Sequence, residues 1–387
     1  MALTRDRATL LAYASLGLLG FVLNGLGPVL PNLQSELGLT RSEVARYPTL
    51  YAIGWLLMSA VGYRVVRRLG RDLALRLSAV GLGGSAGLMG LALNNVAVGA
   101  AAVVMGAAGA VMMIVVQAFL SDHHGSRAVA AISEANAVSS FAAIAGPLAI
   151  SLAIALGLGW AAGFAGPALV VGLLLGLGLV ASIPISPRPE PSIAGVHLDD
   201  SFVPWVGSWM GIVLVVAVEF AFVFWATDYM ESVGGISEAV AAGLTATFFA
   251  GMAGARALGV PLMRLLDPRR RALLAALALS GLGFAMFWGA PFLAGTMVWA
   301  GLGLFVSGAG VAYLFPLSFL GLVGVLVGGT DRASARAALA SGVAIGLAPL
   351  LLGIAADAFG LTRALLLIPL LMLASAANVV LTYRRGS

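Results

Sequence analysis

Three charged side chains interrupt runs of sequence that are otherwise apolar: Glu219, within Val216-Ala217-Val218-Glu219-Phe220-Ala221, then Arg256 and Glu134. A charge inside hydrocarbon is costly unless it is paired or faces water, so such residues carry protons, form ion pairs or meet substrate. A carboxyl whose surroundings change between two states can take up a proton on one side and release it on the other. Other chemistry has few ligands. The chain has no Cys, and its three His (His123, His124, His197) fall between the apolar runs, so no disulfide, metal site or cofactor is expected. An H-E-x-x-H pair, a P-loop and a Ser with a nearby His base are also missing from the sequence, which predicts no enzyme and no direct use of ATP.

The elements that position these charges are set by composition. With 61% hydrophobic and 10% charged residues, 51 Gly and a mean hydropathy of +1.04 over 387 residues, no stretch is polar enough to fold alone in water. A bilayer core of about 30 Å takes roughly 20 apolar residues per helix. Twelve runs meet that need, at about 9–33, 44–66, 73–93, 96–120, 128–155, 160–183, 206–230, 239–264, 271–289, 293–326, 333–356 and 362–383. Helices satisfy their own backbone polar groups in lipid, and no alternating barrel pattern is present, so an all-α membrane protein with twelve transmembrane helices is expected. The tenth run is overlong, which predicts a strong tilt or a re-entrant end. The first run is too long for a cleaved signal, carries Pro28 and Pro31 near its end and lacks an A-x-A site, so it reads as a retained helix.

All 21 basic residues are Arg, giving a formal charge of +5. Alternating sides along the chain places 17 of them together, from Arg5 and Arg7 through Arg64–Arg76 to Arg384 and Arg385. Only Arg41, Arg46 and Arg363 fall opposite, beside Glu36, Glu43, Asp228, Glu231, Glu238 and Asp357. The positive-inside rule then predicts both termini in the cytoplasm, and it explains the basic balance without nucleic acid as a partner. A multi-pass, monomeric protein of a bacterial-type inner membrane is the expectation.

The chain also repeats itself. At an offset of 197, Gly38-Leu39-Thr40 aligns with Gly235-Ile236-Ser237, Gly54 with Gly251, Gly62 with Gly259 and Arg67 with Arg264. At an offset of 202, Gly146-Pro147 aligns with Ala348-Pro349. Two six-helix halves in the same order give parallel repeats, here 1–184 and 205–387, joined by a Pro- and acid-rich cytoplasmic linker at 185–204. Thr40 and Ser237 read as helix N-caps, and Thr40-Arg41-Ser42-Glu43 completes a capping box. The spacings Gly83-x-x-x-Gly87, Gly172-x-x-x-Gly176 and Gly342-x-x-x-Gly346 predict close helix packing.

Two parallel six-helix repeats, a cytoplasmic linker and an Arg-rich loop after the second helix of each half resemble the major facilitator superfamily of secondary transporters. The loop Gly62-Tyr63-Arg64-Val65-Val66-Arg67-Arg68-Leu69-Gly70-Arg71 is similar to that family's G-x-x-x-D-R-x-G-R-R motif, without its acid and one residue longer. A second degenerate copy runs from Gly259 to Arg271. Gly146-Pro147 resembles the core of a motif of the family's drug–proton antiporters, without the flanking glycines.

The resemblance implies alternating access, with helices one, four, seven and ten lining a central cavity. Glu219, about 13 residues or ~20 Å into the seventh helix, then lies near mid-membrane and is the expected proton-coupling residue. The candidate substrate contacts are Asn24, Gln117, Trp225, Thr227, Asp228 and Tyr313, with Asn136 a lesser one. The resemblance also sets helices five and eight face to face. Glu134 and Arg256, at ~9 Å and ~12 Å from their cytoplasmic ends, are therefore the expected cytoplasmic gate, the alternatives being that Glu134 meets Arg127 or that Arg256 snorkels. Few internal counter-ions suit a neutral or weakly charged small organic solute. Drug/proton antiport and symport of a sugar-like or metabolite solute both remain open, with a polytopic membrane enzyme as the remote alternative.

Overall fold

The computed structural model describes residues 5–178, 202–257, 269–325 and 329–383. The expected linker, apart from its last few residues, and the second loop between Gly259 and Pro268 lie outside them. Every described regular element is helical: α1 Arg7–Leu37, α2 Arg41–Val44, α3 Arg46–Leu69, α4 Arg71–Gly90, α5 Asn95–His124, α6 Ala128–Ala155, α7 Trp160–Gly176, α8 Phe202–Ser232, α9 Glu238–Ala257, α10 Arg269–Gly289, α11 Thr296–Val311, α12 Leu314–Val325, α13 Gly329–Phe359, α14 Leu361–Ala364 and α15 Leu367–Thr382, with 3-10 turns at Gly125–Arg127 and Ala290–Phe292. Eleven helical spans among the described residues are long and apolar enough to cross a membrane, and Trp160–Gly176 is a shorter apolar helix.

Prolines divide three of the expected runs. Pro has no N–H, so the carbonyl four residues before it loses its helical donor. Pro48, Pro316 and Pro369 each stand three to four residues after a break, at Ala45, at Ala312–Tyr313 and at Leu365–Leu366. The overlong tenth run is two helices, α11 and α12, which meet at Ala312–Tyr313. The capping box forms as expected: Thr40 Oγ1 accepts from the Glu43 N–H, and the Glu43 carboxylate accepts from the Thr40 N–H. The repeat is visible in the backbone, since Gly38, which caps α1, and Gly235, which follows α8 after a turn at Val233–Gly234, both have φ of 63°.

The chain divides into two compact units. Unit 1 holds Met1–Leu39, Arg46–Glu190 and Glu238–Ala246; unit 2 holds Thr40–Ala45, Pro191–Ser237 and Thr247–Ser387. Each includes a short segment that belongs by sequence to the other half.

In unit 1, α1 packs on α6, α3 on α5 and α4 on α7. Two of the glycine spacings meet each other: a Cβ on Gly83 would come within 2.7 Å of the Ala168 carbonyl, and one on Gly172 within 2.6 Å of the Ala79 carbonyl. Gly146 serves α6 in the same way, 3.1 Å from the Phe21 carbonyl of α1 when given a Cβ. In unit 2, α8 is the central helix and packs on α12, α13 and α15. Its Phe222 ring meets Phe248, Phe284 and Phe287. Large apolar side chains such as Leu57, Phe141, Leu152 and Leu373 are exposed, which a helix bundle solvated by lipid tolerates.

Candidate functional site

Glu219 lies near the middle of α8 and is half-buried. Among the described residues it has no hydrogen-bond partner, and the cation whose field reaches it is Arg256 of α9. Arg256 stands against the break in the tenth run. Its Nε donates to the Ala312 carbonyl at 3.5 Å, the carbonyl that Pro316 leaves without a helical donor. The Tyr313 hydroxyl reaches back to the Ala255 carbonyl. An isolated carboxyl, its one cation and the loosened backbone of α11–α12 therefore form a connected set within unit 2.

Asp228, expected as a substrate contact, has both oxygens engaged. Arg41 donates from Nε to Oδ2 at 2.8 Å and from its second nitrogen to Oδ1 at 3.1 Å. Side-chain exposure is 25% for Arg41 and 9% for Asp228, so the pair is largely withdrawn from solvent. Asp357 at the end of α13 accepts from the backbone N–H groups of Arg41 and Ser42 at 3.0 and 2.8 Å. Two carboxylates thus clamp Thr40–Ala45 to α8 and α13. Sequence reading makes Arg41 an orienting charge only; what it offers is the grouping of Arg41, Asp228 and Asp357 on one side.

Residue counting matches Glu134 in depth to Arg256, with Arg127 as the alternative. In the structure its cation is Arg5, held through two hydrogen bonds of 2.8 and 2.7 Å, with the Tyr13 hydroxyl at 3.1 Å. Depth counted along helices takes no account of the residues just before α1, from which Arg5 reaches Glu134. The Glu134 hydrogen bond and charge raise the Arg5 pKa. Burial pushes the neighbouring Asp6 carboxyl up, but bonds from Thr9 and His123 outweigh it and leave the group below its ordinary value. Because the Arg5–Glu134 pair is exposed at 58% and 34%, Glu134→Gln is expected to leave the thermal unfolding temperature in detergent close to that of the wild type. Transport lost at unchanged stability would return Glu134 to a gating role.

The remaining candidates are scattered. Asn24 on α1 donates to the Gly20 carbonyl and keeps its side-chain oxygen free among the described contacts. Gln117 is exposed on α5 and donates to Met113 Sδ. Trp225 is fully buried with its indole N–H unpartnered, Thr227 is fully buried, and Asn136 is exposed. Sequence reading misses Tyr51 and Trp55 on α3, whose polar atoms are buried without partners among the described residues. Their signal, two amphipathic aromatics one turn apart, is hidden in an apolar run.

A family model described as Major Facilitator Superfamily matches residues 12–335. The chain belongs to the major facilitator superfamily. Solved structures agree in fold. A bacterial homologue of the human lysosomal transporter Spinster, in an inward-facing and occupied conformation, superposes with a TM-score of 0.78 at 16% identity, covering 100% of this chain and 98% of that one. The nucleoside transporter NupG gives 0.76 at 12% identity, covering 98% and 99%, and a D-xylose-proton symporter 0.73 at 14% identity, covering 98% of each. No curated protein sequence matches the chain. It is a multi-pass membrane protein with a facilitator-superfamily transporter fold.

Membership sharpens one local feature, the degenerate loop between α3 and α4. Gly70 turns the chain with φ of 82°, and Gly62 packs on Ile114 of α5. The motif position that is acidic in the family is Val66, yet Arg71 finds a carboxylate all the same: Asp122 at the end of α5, at 2.7 Å. The loop is pinned inside unit 1 by an acid from another helix.

Proposed function

We propose that the chain is a secondary active transporter that moves a small neutral or weakly charged organic solute by alternating access, coupled to protons through Glu219. The observation that carries this reading is a half-buried mid-helix carboxyl that, among the described residues, has no hydrogen bond and is reached by the field of one cation, on a helix cross-linked to a proline-broken partner. A permanently charged group so placed is costly, and a carboxyl that exchanges a proton is not permanently charged. Twelve crossings, with α7 as the sixth, both termini in the cytoplasm, and halves at 1–184 and 205–387 complete the proposed architecture. The setting is a bacterial-type inner membrane, with a monomer as the working unit.

Symport of a sugar-like or metabolite solute is favoured over drug/proton antiport by the local role of Gly146, which lets α6 approach α1 and so accounts for the Gly-Pro pair without efflux. The fold-level similarity to a nucleoside transporter and a D-xylose–proton symporter supports the same solute class by analogy. The test is substrate-dependent proton movement in proteoliposomes across sugars, nucleosides, organic acids and lipophilic cations. Alkalinisation of the outer medium on adding a sugar or nucleoside is expected. Proton movement driven only by lipophilic cations would overturn the symport reading.

A further inference from the structure

The internal repeat supplies its own control for what the scaffold needs. In unit 1, α3 and α5 touch backbone to backbone: a Cβ on Gly54 would strike the Val103 carbonyl and come within 2.9 Å of the Ala107 nitrogen, and one on Gly106 would strike the Tyr51 carbonyl. In unit 2, α9 and α11 repeat the crossing: a Cβ on Gly251 would strike the Phe305 carbonyl and come within 3.1 Å of the Ala309 nitrogen, and one on Gly308 would strike the Phe248 carbonyl. The offsets are the same 197 and 202 that relate the halves in sequence. Position by position, Tyr51 corresponds to Phe248, Trp55 to Met252 and Gly109 to Val311.

The two copies differ in chemistry on one scaffold. Phe248, Met252 and Val311 are buried apolar residues. Among the described residues, the fully buried Tyr51 has its hydroxyl unpartnered, and the buried Trp55 indole N–H is unpartnered too. Their rings stack at 6.1 Å. Gly109 is what makes room for them, since a Cβ there would come within 3.2 Å of Tyr51 Oη and 3.3 Å of Trp55 Cζ3. The crossing in unit 2 stands without a hydroxyl or an indole, so packing does not require them. Burying two donors without acceptors opposes folding, and such groups are rare unless something outside the chain pairs with them. Trp55 is half-exposed on the side of α3 opposite the exposed Ile53 and Leu57, and half-buried Met58 and Ser59 continue that stripe. Trp55 is thus the half-exposed member of the pair, beside the buried Tyr51 hydroxyl.

We propose that Tyr51 and Trp55 are a substrate-contact pair in unit 1 for a neutral ring solute bearing hydroxyl or carbonyl oxygens. The oxygens accept from the Tyr51 hydroxyl and the Trp55 N–H, and the apolar face of the ring lies on the aromatic planes. No charged residue takes part, which selects against ionic solutes. The proposal rests on the transporter reading above and adds to it the class of solute and the residues that hold it.

The test is ligand-induced thermal stabilisation of the purified full chain in detergent, with D-glucose, myo-inositol and uridine as probes and lipophilic cations as the contrast. No gradient is present, so a failure of proton coupling leaves this readout untouched. The double variant Tyr51→Phe/Trp55→Met installs the residues the repeat already uses, and Tyr51→Phe alone removes a single unpartnered oxygen. Both are expected to unfold at or above the wild-type temperature without ligand. Affinity for the neutral probe that binds is expected to fall about tenfold in the single variant and roughly a hundredfold in the double one. Affinity that persists in both variants, unfolding of the ligand-free single variant at a clearly lower temperature, or a wild type stabilised by none of the neutral probes each overturns the proposal.

Discussion

Replacing Glu219 with Gln is expected to abolish uphill accumulation of substrate while leaving downhill exchange across the same membrane. Gln matches Glu in shape and keeps a polar group at the centre of α8, so packing around Phe220 and Phe222 changes little. What it cannot do is bind and release a proton, and the cycle then has no means of joining a proton to each solute. The substrate-dependent proton signal in proteoliposomes should fall to background, and the accumulation ratio to about 1, the value at equal concentrations on the two sides. Counterflow of labelled against unlabelled substrate should survive, because it needs a binding site and two access states but no net proton. Arg256→Gln should impair accumulation as well, since it removes both the cation whose field reaches Glu219 and the donor to the Ala312 carbonyl. Proton movement of wild-type size in Glu219→Gln would refute the coupling role outright.

Why Glu219 could be picked from sequence, and Tyr51 could not, comes down to contrast. A carboxylate among Val216, Ala217, Val218, Phe220 and Ala221 stands out on any transfer scale, and its mid-helix depth follows from counting at 1.5 Å per residue. Tyr and Trp score as apolar body with a polar tip, so Tyr51 and Trp55 vanish into the second run; only the backbone crossing at Gly54 and Gly106, and its twin at Gly251 and Gly308, exposes their missing partners. Breaks within the runs are a middle case. Pro48, Pro316 and Pro369 are plain in the sequence, and the carbonyl four residues upstream of each is where the helix yields, but hydropathy averaged over a span does not register a missing donor. Pairings across distance are invisible for another reason: Arg5 and Glu134 are 129 residues apart and Arg41 and Asp228 are 187 apart, and charge sign with side of membrane narrows the partners without choosing among them.

The second large effect is expected at that last pair. Asp228→Asn leaves the Arg41 guanidinium largely buried with one neutral acceptor oxygen in place of the carboxylate, and Arg41→Gln strands the Asp228 carboxylate, of which 9% is exposed. Removing one partner from a buried ion pair costs roughly 3–5 kcal/mol; with a quarter of the Arg41 side chain still in solvent, about 2–3 kcal/mol is the expected loss for either variant. The double variant Arg41→Gln/Asp228→Asn restores a neutral, hydrogen-bonding pair and should unfold no lower than the worse single variant, which corresponds to a coupling energy of about 2 kcal/mol. Exchanging the two charges should rescue less, because an acid at position 41 would sit beside Asp357, which already accepts from the Arg41 and Ser42 N–H groups. The cycle also separates two roles for Asp228. As a clamp, it makes Arg41→Gln and Asp228→Asn alike in unfolding temperature and in transport. As a substrate contact, Asp228→Asn weakens solute affinity with Arg41→Gln close to wild type. The bidentate geometry, with both Asp228 oxygens already bonded, favours the first outcome: an acid whose acceptors are filled has little left to offer a solute until Arg41 lets go.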